Sequence, residues 1–106
     1  MFRIFTTKEF DDNFNKLDGS NKKIVRKIME QLKNQGSNVG KPLGRSYFKE
    51  KKFGNKRLYF LVYENYTIIL AVGISDKKAQ QPTINKIVSE IENYKEFIIK
   101  RLKDID

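Results

Sequence analysis

Three runs of strand-forming residues, separated by two very short turns, place the strongest constraint on how this chain can fold. The runs span about 45–53, 56–64 and 67–75, and the dipeptides Gly54-Asn55 and Asn65-Tyr66 separate them. Alternating apolar and polar residues rich in Val, Ile, Tyr and Phe are typical of strands. Connections this short join antiparallel neighbours. The sequence therefore predicts a three-stranded antiparallel meander.

A short strand and two helices are predicted before the meander. Residues 2–6 alternate in polarity and are predicted as a strand. The run Thr6-Thr7-Lys8-Glu9 matches a capping box with Thr6 as the N-cap, which begins a helix over about 7–17. A second helix, capped by Ser20 or Asn21, carries one apolar stripe and ends at Gly36. The short Asp18-Gly19 turn makes the two helices an antiparallel hairpin.

The remaining segments complete the predicted order of elements. Residues 37–44 hold Gly, Pro and small polar side chains and are predicted as a loop. After Pro82, one helical stripe of apolar residues continues to the C-terminus: Ile84, Ile87, Val88, Ile91, Tyr94, Ile98 and Leu102. The order predicts an α+β fold, in which the N-terminal strand and the meander form an antiparallel sheet. The helical hairpin packs on one face, a C-terminal helix follows, and residues 1–106 form a single domain.

The composition excludes several kinds of chemistry. The 106 residues include no Cys and no His. Disulfides, thiolate catalysis, the usual zinc sites and a histidine general base are therefore excluded, and neither a metal nor a cofactor is expected. No apolar signal segment follows Met1, and the longest apolar run, over 67–74, is too short to span a bilayer. We expect a soluble cytoplasmic protein without a membrane partner.

Positive charge is concentrated in one short segment. The net charge is +9, and residues 41–57 contain seven Lys or Arg against the single acidic residue Glu50. A concentrated positive field favours a polyanionic partner such as a nucleic acid. The alternative is a solvated, charge-rich surface.

The alternation within the meander indicates which basic residues could share a face of the sheet. Arg45, Tyr47, Lys49 and Lys51 share one face of the first strand, and Arg57 and Tyr59 share one face of the second. Register and bulges decide whether the two faces coincide. If they do, the sheet presents a basic face with interleaved aromatic rings, which could grip an RNA backbone and stack unpaired bases. The candidate RNA-binding residues of the basic segment and its neighbouring strand are Arg45, Tyr47, Lys52, Lys56 and Tyr59. Alternatively, the lysines protect a sheet edge, and the tyrosines are packing residues.

Three segments together resemble the RelE/ParE toxin superfamily. They are Gly40-Lys-Pro-Leu-Gly44, then Tyr47-Phe-Lys-Glu-Lys-Lys-Phe-Gly-Asn-Lys-Arg-Leu-Tyr59, and Ala71-Val-Gly-Ile-Ser-Asp-Lys-Lys78. The resemblance covers essentially the whole chain and implies a toxin domain. RelE-type members cleave mRNA in the ribosomal A site by attack of the RNA 2′-hydroxyl, leaving a cyclic phosphate without a metal. A small antitoxin protein neutralises them.

The resemblance also implies roles for particular basic residues. Arg57 matches the strand arginine of the family and would stabilise charge on the phosphate. Lys49 or Lys51 would be the general base, with a pKa lowered by crowding from Lys52 and Lys56. Lys77 or Lys78 would neutralise the phosphate or assist the leaving group, unless this pair is only a solvated turn.

Two other functions remain open from the sequence. A ParE-like toxin would inhibit a topoisomerase through protein contacts, although members of that type generally lack the basic catalytic set. A non-catalytic RNA-binding or antitoxin-binding member of the fold is the other alternative. Residues 79–85 favour it, because they contain neither the Tyr nor the His that many active members have after the last strand.

Overall fold

The computed structural model describes residues 1–105, which form a five-stranded sheet and four helices. The strands are β1 (Arg3–Thr6), β2 (Lys41–Arg45), β3 (Phe48–Phe53), β4 (Lys56–Tyr63) and β5 (Ile68–Asp76). The helices are α1 (Lys8–Asn15), α2 (Gly19–Gln35), α3 (Gln80–Ser89) and α4 (Ile91–Ile105). The predicted α+β class is confirmed. Within residues 1–105 no helix is both long enough and apolar enough to cross a membrane.

The strands are ordered β1-β5-β4-β3-β2 in one sheet. The predicted antiparallel meander is confirmed as β3, β4 and β5. The prediction that the whole sheet is antiparallel is wrong, because β1 pairs with β5 in parallel. The helical hairpin and strands β2, β3 and β4 lie between β1 and β5 in the chain. They bring the chain back so that β5 runs beside β1 in the same direction.

An additional edge strand replaces part of the predicted loop over 37–44. Lys41–Arg45 pairs antiparallel with β3 as strand β2. Pro42 obscures this strand in the sequence because it has no N–H, yet an edge strand tolerates it. Strand β2 pairs with β3 from Phe48 to Glu50, so Lys49 does not protect a sheet edge. Lys51 and Lys52 lie beyond the paired residues, and edge protection stays a prediction for them.

The helix ends differ from the predicted ends by a few residues. Thr7, not Thr6, is the N-cap of α1, and its side chain accepts a 3.1 Å hydrogen bond from the Phe10 N–H. Thr6 instead belongs to β1. Asp18 caps α2 by accepting a 2.7 Å bond from the N–H of Asn21. Gly36 ends α2 as predicted, with a φ of 57° that favours glycine.

Helices cover both faces of the sheet. The α1–α2 hairpin packs on one face, as predicted, through a core that includes Phe10, Val25, Ile28, Leu32, Leu58, Phe60 and Ile69. The C-terminal segment packs on the other face through Ile87, Ile98, Phe48, Tyr59, Leu61, Leu70 and Val72. We call these the α1–α2 face and the α3–α4 face.

The C-terminal segment is two helices rather than the predicted single helix. The break lies at Glu90, whose N–H donates to Ile87 O while its own carbonyl accepts from the Tyr94 N–H. Both helices place apolar residues against the same sheet face, so the apolar stripe continues through the break. The stripe alone therefore could not indicate where the first helix ends.

A β-bulge changes the phase of strand β5. Phe60 pairs with Ala71, but the preceding residue Tyr59 pairs with Gly73, so Val72 is the extra residue. Val72 packs in the core of the α3–α4 face, whereas Ile74 packs in the core of the α1–α2 face. The bulge therefore returns the next residue, Ser75, to the α3–α4 face.

Candidate functional site

The turn between β3 and β4 determines which side chains lie beside Arg57. Gly54 and Asn55 form the turn between the paired residues Phe53 and Lys56. This register places Lys52 directly opposite Arg57, and the register with β5 places Ser75 on Arg57's other side. Side chains directly opposite each other in such pairs have Cβ atoms about 5 Å apart. Lys52, Arg57 and Ser75 therefore form a row across three strands on the α3–α4 face.

A second row lies next to this one. Glu50 is directly opposite Tyr59, two residues along each strand from Lys52 and Arg57. We call the five polar side chains of the two rows the Arg57 cluster: Glu50, Lys52, Arg57, Tyr59 and Ser75. Lys52 is exposed, whereas the other four residues are buried.

Arg57 and Glu50 form a buried ion pair. The Arg57 Nε atom lies 3.9 Å from Glu50 Oε2, and the two side chains are 8% and 11% exposed. The guanidinium also donates a 3.2 Å hydrogen bond to Lys56 O. The second carboxylate oxygen of Glu50 accepts a 2.9 Å bond from Gln80 Nε2 in the first turn of α3. The carboxylate thus links the strand pair to α3.

Tyr59 is a core residue with a polar end. Its ring is fully buried and lies 6.5 Å from the Phe48 ring, tilted by 39°. Its hydroxyl shares a 2.8 Å hydrogen bond with Ser75 Oγ, which donates to Asp76 O. Burial raises the pKa of Tyr59, and the neighbouring Glu50 adds to the rise. The prediction that Tyr59 stacks on a base is wrong for this structure, because neither ring face is exposed.

Lys49 and Lys51 lie on the opposite face of the sheet from Arg57. Lys49 is opposite Phe60, is only 9% exposed and donates from Nζ to the carbonyl of Ser37. Lys51 is opposite Leu58. The expectation that they lie beside Arg57 is wrong, because the two-residue turn places an even-numbered residue of β3 opposite Arg57. The structure therefore does not bring the two predicted general bases to the predicted phosphate site.

Lys77 and Lys78 lie at the same end of the sheet as the Arg57 cluster. Both are exposed, and with Asn55 and Asp76 they line an open cleft of about 640 Å³. The Lys77 N–H donates a 2.9 Å bond to Asn55 O, which holds this segment against the β3–β4 turn. Three exposed lysines, at 52, 77 and 78, therefore lie at this end of the sheet.

The remaining predicted RNA-binding residues are separated along the sheet. Lys56 is half-buried between Phe53 and Asp76, near Arg57. Arg45 is exposed at the end of β2 opposite Phe48, and Tyr47 is exposed in the following turn. Arg45 and Tyr47 thus lie at the other end of β3 from Lys52. The predicted residues do not form one continuous patch in this structure.

The sequence analysis did not select two members of the Arg57 cluster, Glu50 and Ser75, or Gln80, which bonds to Glu50. Glu50 had a visible signal, since it is the only acidic residue of the basic segment. Ser75 and Gln80 had no comparable signal, because the bulge and the packing of α3 place them there. A carboxylate, an arginine and several lysines together can accept a proton and bind a phosphate. Within residues 1–105 no group of three or more His, Cys, Asp or Glu side chains could hold a metal ion.

Comparison with solved structures places this architecture among the RelE toxins. The isolated E. coli RelE toxin superposes with a TM-score of 0.65 at 11% identity, over 82% of this chain and 99% of that one. A chain of the intact E. coli RelBE toxin–antitoxin complex gives 0.64 at 11% identity, over 72% and 96%. A chain of the RelB–RelE antitoxin–toxin complex of Methanococcus jannaschii gives 0.61 at 18% identity, over 74% and 96%.

The chain thus has the fold of the RelE toxins, and the resemblance predicted from its sequence is confirmed at the level of the fold. No family model and no curated protein matches the sequence. At 11–18% identity the structural likeness concerns the fold alone.

Proposed function

We propose that this protein is the toxin of a type II toxin–antitoxin pair and a metal-independent endoribonuclease that cleaves mRNA on the ribosome. The observation that carries the proposal is the position of Arg57, which lies between Lys52 and Ser75 beside the carboxylate of Glu50. The RelE fold supports the same function. Phosphate binding and proton transfer are the two abilities that RNA cleavage by an internal hydroxyl requires.

The proposed reaction is attack by the RNA 2′-hydroxyl on the adjacent phosphorus atom. The new P–O2′ bond forms as the P–O5′ bond breaks, which leaves a 2′,3′-cyclic phosphate and a 5′-hydroxyl. Glu50 takes the proton of the 2′-hydroxyl, and Lys77 or Lys78 supplies a proton to the leaving O5′ atom. Arg57 and Lys52 bind the phosphate oxygens, where charge develops in the transition state. Lys49 and Lys51 have no role in this arrangement, because they lie on the other face.

The proposal requires one local rearrangement. A phosphate can replace Glu50 at Arg57 only if the carboxylate moves, and this movement breaks the 2.9 Å hydrogen bond from Gln80. We therefore take the described arrangement as a resting state in which the ion pair occupies the phosphate site. The leaving-group lysines are already exposed in it.

The proposed partners follow from the same charges. The exposed Lys52, Lys77 and Lys78 suit an mRNA backbone, and the net charge of +9 suits binding to the RNA of a ribosome. We also propose a small antitoxin protein that neutralises the toxin. The solved RelE structures that it resembles include toxin–antitoxin complexes.

A non-catalytic RNA-binding or antitoxin-binding protein is the second candidate. One observation favours it: residues 79–85, the N-cap and first turns of α3, contain no Tyr or His to act as a general acid. A ParE-like topoisomerase inhibitor has no comparable structural support.

The experiment is primer-extension mapping of mRNA on translating ribosomes, with and without the protein. We expect discrete new 5′ ends at A-site codons. The matched variants are Lys52→Gln and Lys51→Gln, neighbouring lysines on opposite faces. Losing a charged phosphate contact costs about 1.5–3 kcal/mol, so Lys52→Gln should slow cleavage about 10-fold to 100-fold. Lys51→Gln should cleave at the wild-type rate.

Two outcomes would change the conclusion. If the wild-type protein gives no new ends, the ribonuclease proposal fails and the non-catalytic function replaces it. If both lysine variants cleave like wild type and Arg57→Ala does so too, the enzyme stands but the Arg57 cluster is not its site. Arg57→Ala must first show wild-type circular dichroism, since the residue is buried.

A further inference from the structure

A second cleft lies at the other end of the sheet from the Arg57 cluster. It has a volume of about 450 Å³, within the range of small-ligand sites, and lies between the β4–β5 connection and the first turns of α4. Three of the protein's five tyrosines line it, namely Tyr47, Tyr63 and Tyr66. We call it the tyrosine cleft.

The charge of the tyrosine cleft is opposite to that of the molecule. Glu64 and Glu92 line it against one ammonium group, Lys95, in a protein of net charge +9. All three charged residues are exposed and can reorient toward a ligand. Tyrosine ring faces also carry partial negative charge. The lining of the cleft therefore favours a cationic ligand over a phosphate.

The backbone around the cleft is held in a particular shape. Thr67 has φ 55° and ψ 46°, a left-handed conformation that β-branched residues rarely adopt. It ends the short helical turn Glu64–Tyr66, and its N–H donates a 3.1 Å bond to Glu64 O. On the other side, the Tyr47 carbonyl accepts a 2.8 Å bond from the Val62 N–H. Such strained positions cluster at ligand-binding sites.

We propose that the tyrosine cleft binds the guanidinium group of an arginine from a partner polypeptide. A planar guanidinium stacks on tyrosine rings and donates paired hydrogen bonds to carboxylates, which a lysine ammonium cannot do equally well. The two glutamates disfavour a nucleotide, whose phosphate they would repel. The proposal is independent of the ribonuclease proposal, and its test requires no RNA cleavage.

The test is an NMR titration of the ¹⁵N-labelled protein with the peptide acetyl-Gly-Arg-Gly-amide. We expect saturable shifts in the millimolar range, confined to the amides of residues 47, 62–67 and 91–95. The same peptide with citrulline in place of arginine keeps the shape without the charge and should produce no saturable shift. A short oligouridylate should leave these amides unshifted.

Removing an acidic or a basic side chain from the cleft should change the affinity for the arginine peptide in opposite directions. Glu92→Gln and Tyr66→Ala should each weaken binding of the arginine peptide about twofold to fivefold. Lys95→Gln should strengthen it by a similar factor, about twofold to fivefold, because it removes a like charge. Lys78→Gln, at the other end of the sheet, is the control and should not change it.

Three results would overturn the proposal. One is the absence of saturable shifts with the arginine peptide. Another is equal binding of the citrulline peptide, which would show that charge plays no part. The third is binding of the oligouridylate in the cleft, weakened by Lys95→Gln, which would make it a nucleotide site instead.

Discussion

Gln80 Nε2 donates a 2.9 Å hydrogen bond to Glu50 Oε1, so the first turn of α3 is bonded to the carboxylate that pairs with Arg57. The bond links the C-terminal helices to the Arg57 cluster. Because the ion pair is buried, any change that separates Glu50 from Arg57 should also lower the free energy of unfolding.

The Glu50–Arg57 pair should show a measurable coupling energy. In a double-mutant cycle of Glu50→Gln and Arg57→Gln, we expect a coupling of about 0.5–3 kcal/mol in the free energy of urea unfolding. Either single variant leaves the other buried group without its partner. The exposed pair Lys86 and Glu9, whose side chains are 60% and 47% exposed, is the control and should couple less. Additive effects at Glu50 and Arg57 would show that the two charges do not interact.

Removing the Tyr59 hydroxyl should destabilise the protein without disturbing the core. Tyr59→Phe keeps the buried ring but loses the 2.8 Å bond with Ser75, which should cost about 0.5–1.5 kcal/mol of unfolding free energy. The matched variant Tyr66→Phe alters a tyrosine that is 39% exposed and should stay within about 0.5 kcal/mol of wild type. Equal effects of the two variants in urea unfolding would contradict a structural role for the hydroxyl.

Gly40, just before β2, and Gly44, near its end, should respond differently to alanine. Gly40 and Gly44 have φ values of 84° and 81°, so alanine at either position pays a similar backbone cost. A Cβ atom on Gly40 would lie 2.7 Å from the Glu50 carbonyl oxygen, whereas one on Gly44 would meet nothing within 4 Å. Gly40→Ala should therefore be less stable than Gly44→Ala by about 1–3 kcal/mol in thermal or urea unfolding. Similar losses would mean that β2 can shift away from β3.

Tyr94 should make stability decrease at alkaline pH. Burial raises its pKa from 10.0 to about 12, with smaller contributions from Glu9 and Glu90. The folded state thus keeps the neutral phenol, and the stability that it contributes is complete below pH 10 and lost as pH rises toward 12. Urea unfolding between these pH values should show a shallower decline for Tyr94→Phe. Tyr59 and Tyr63 are present in both proteins, so identical slopes would show that Tyr94 titrates normally.

The sequence predicted the meander because its determinants are local. The Gly54-Asn55 turn and the alternation around it indicate a β-hairpin without any tertiary information. The same turn already implies that Lys52 is opposite Arg57. The prediction that places Lys49 and Lys51 beside Arg57 does not use the register that this turn sets. The turn determines which β3 side chains share a face with Arg57. With the register that it sets, the candidate general base is Glu50 rather than a lysine.

The features that could not be predicted depend on tertiary contacts. Pro42 and Gly44 are typical of a loop, and only pairing with β3 makes their segment a strand. The break at Glu90 has no Gly or Pro to mark it. The burial of Tyr59 follows from α3 and α4 covering its face, and no periodicity within β4 indicates which helix packs there.

The bulge at Val72 determines which residue of β5 lies beside Arg57. If β5 continued from the Phe60–Ala71 pair without a bulge, Val72 would pair with Tyr59, and Ile74 rather than Ser75 would lie opposite Arg57. An apolar side chain would then replace a hydroxyl beside the guanidinium. A single-codon deletion of Val72, by contrast, would remove the bulge and leave Ser75 opposite Arg57, because Val72 is the residue without a partner in β4. The strand can therefore lose one residue here without changing the neighbours of the arginine, although an alignment would record a gap close to the site.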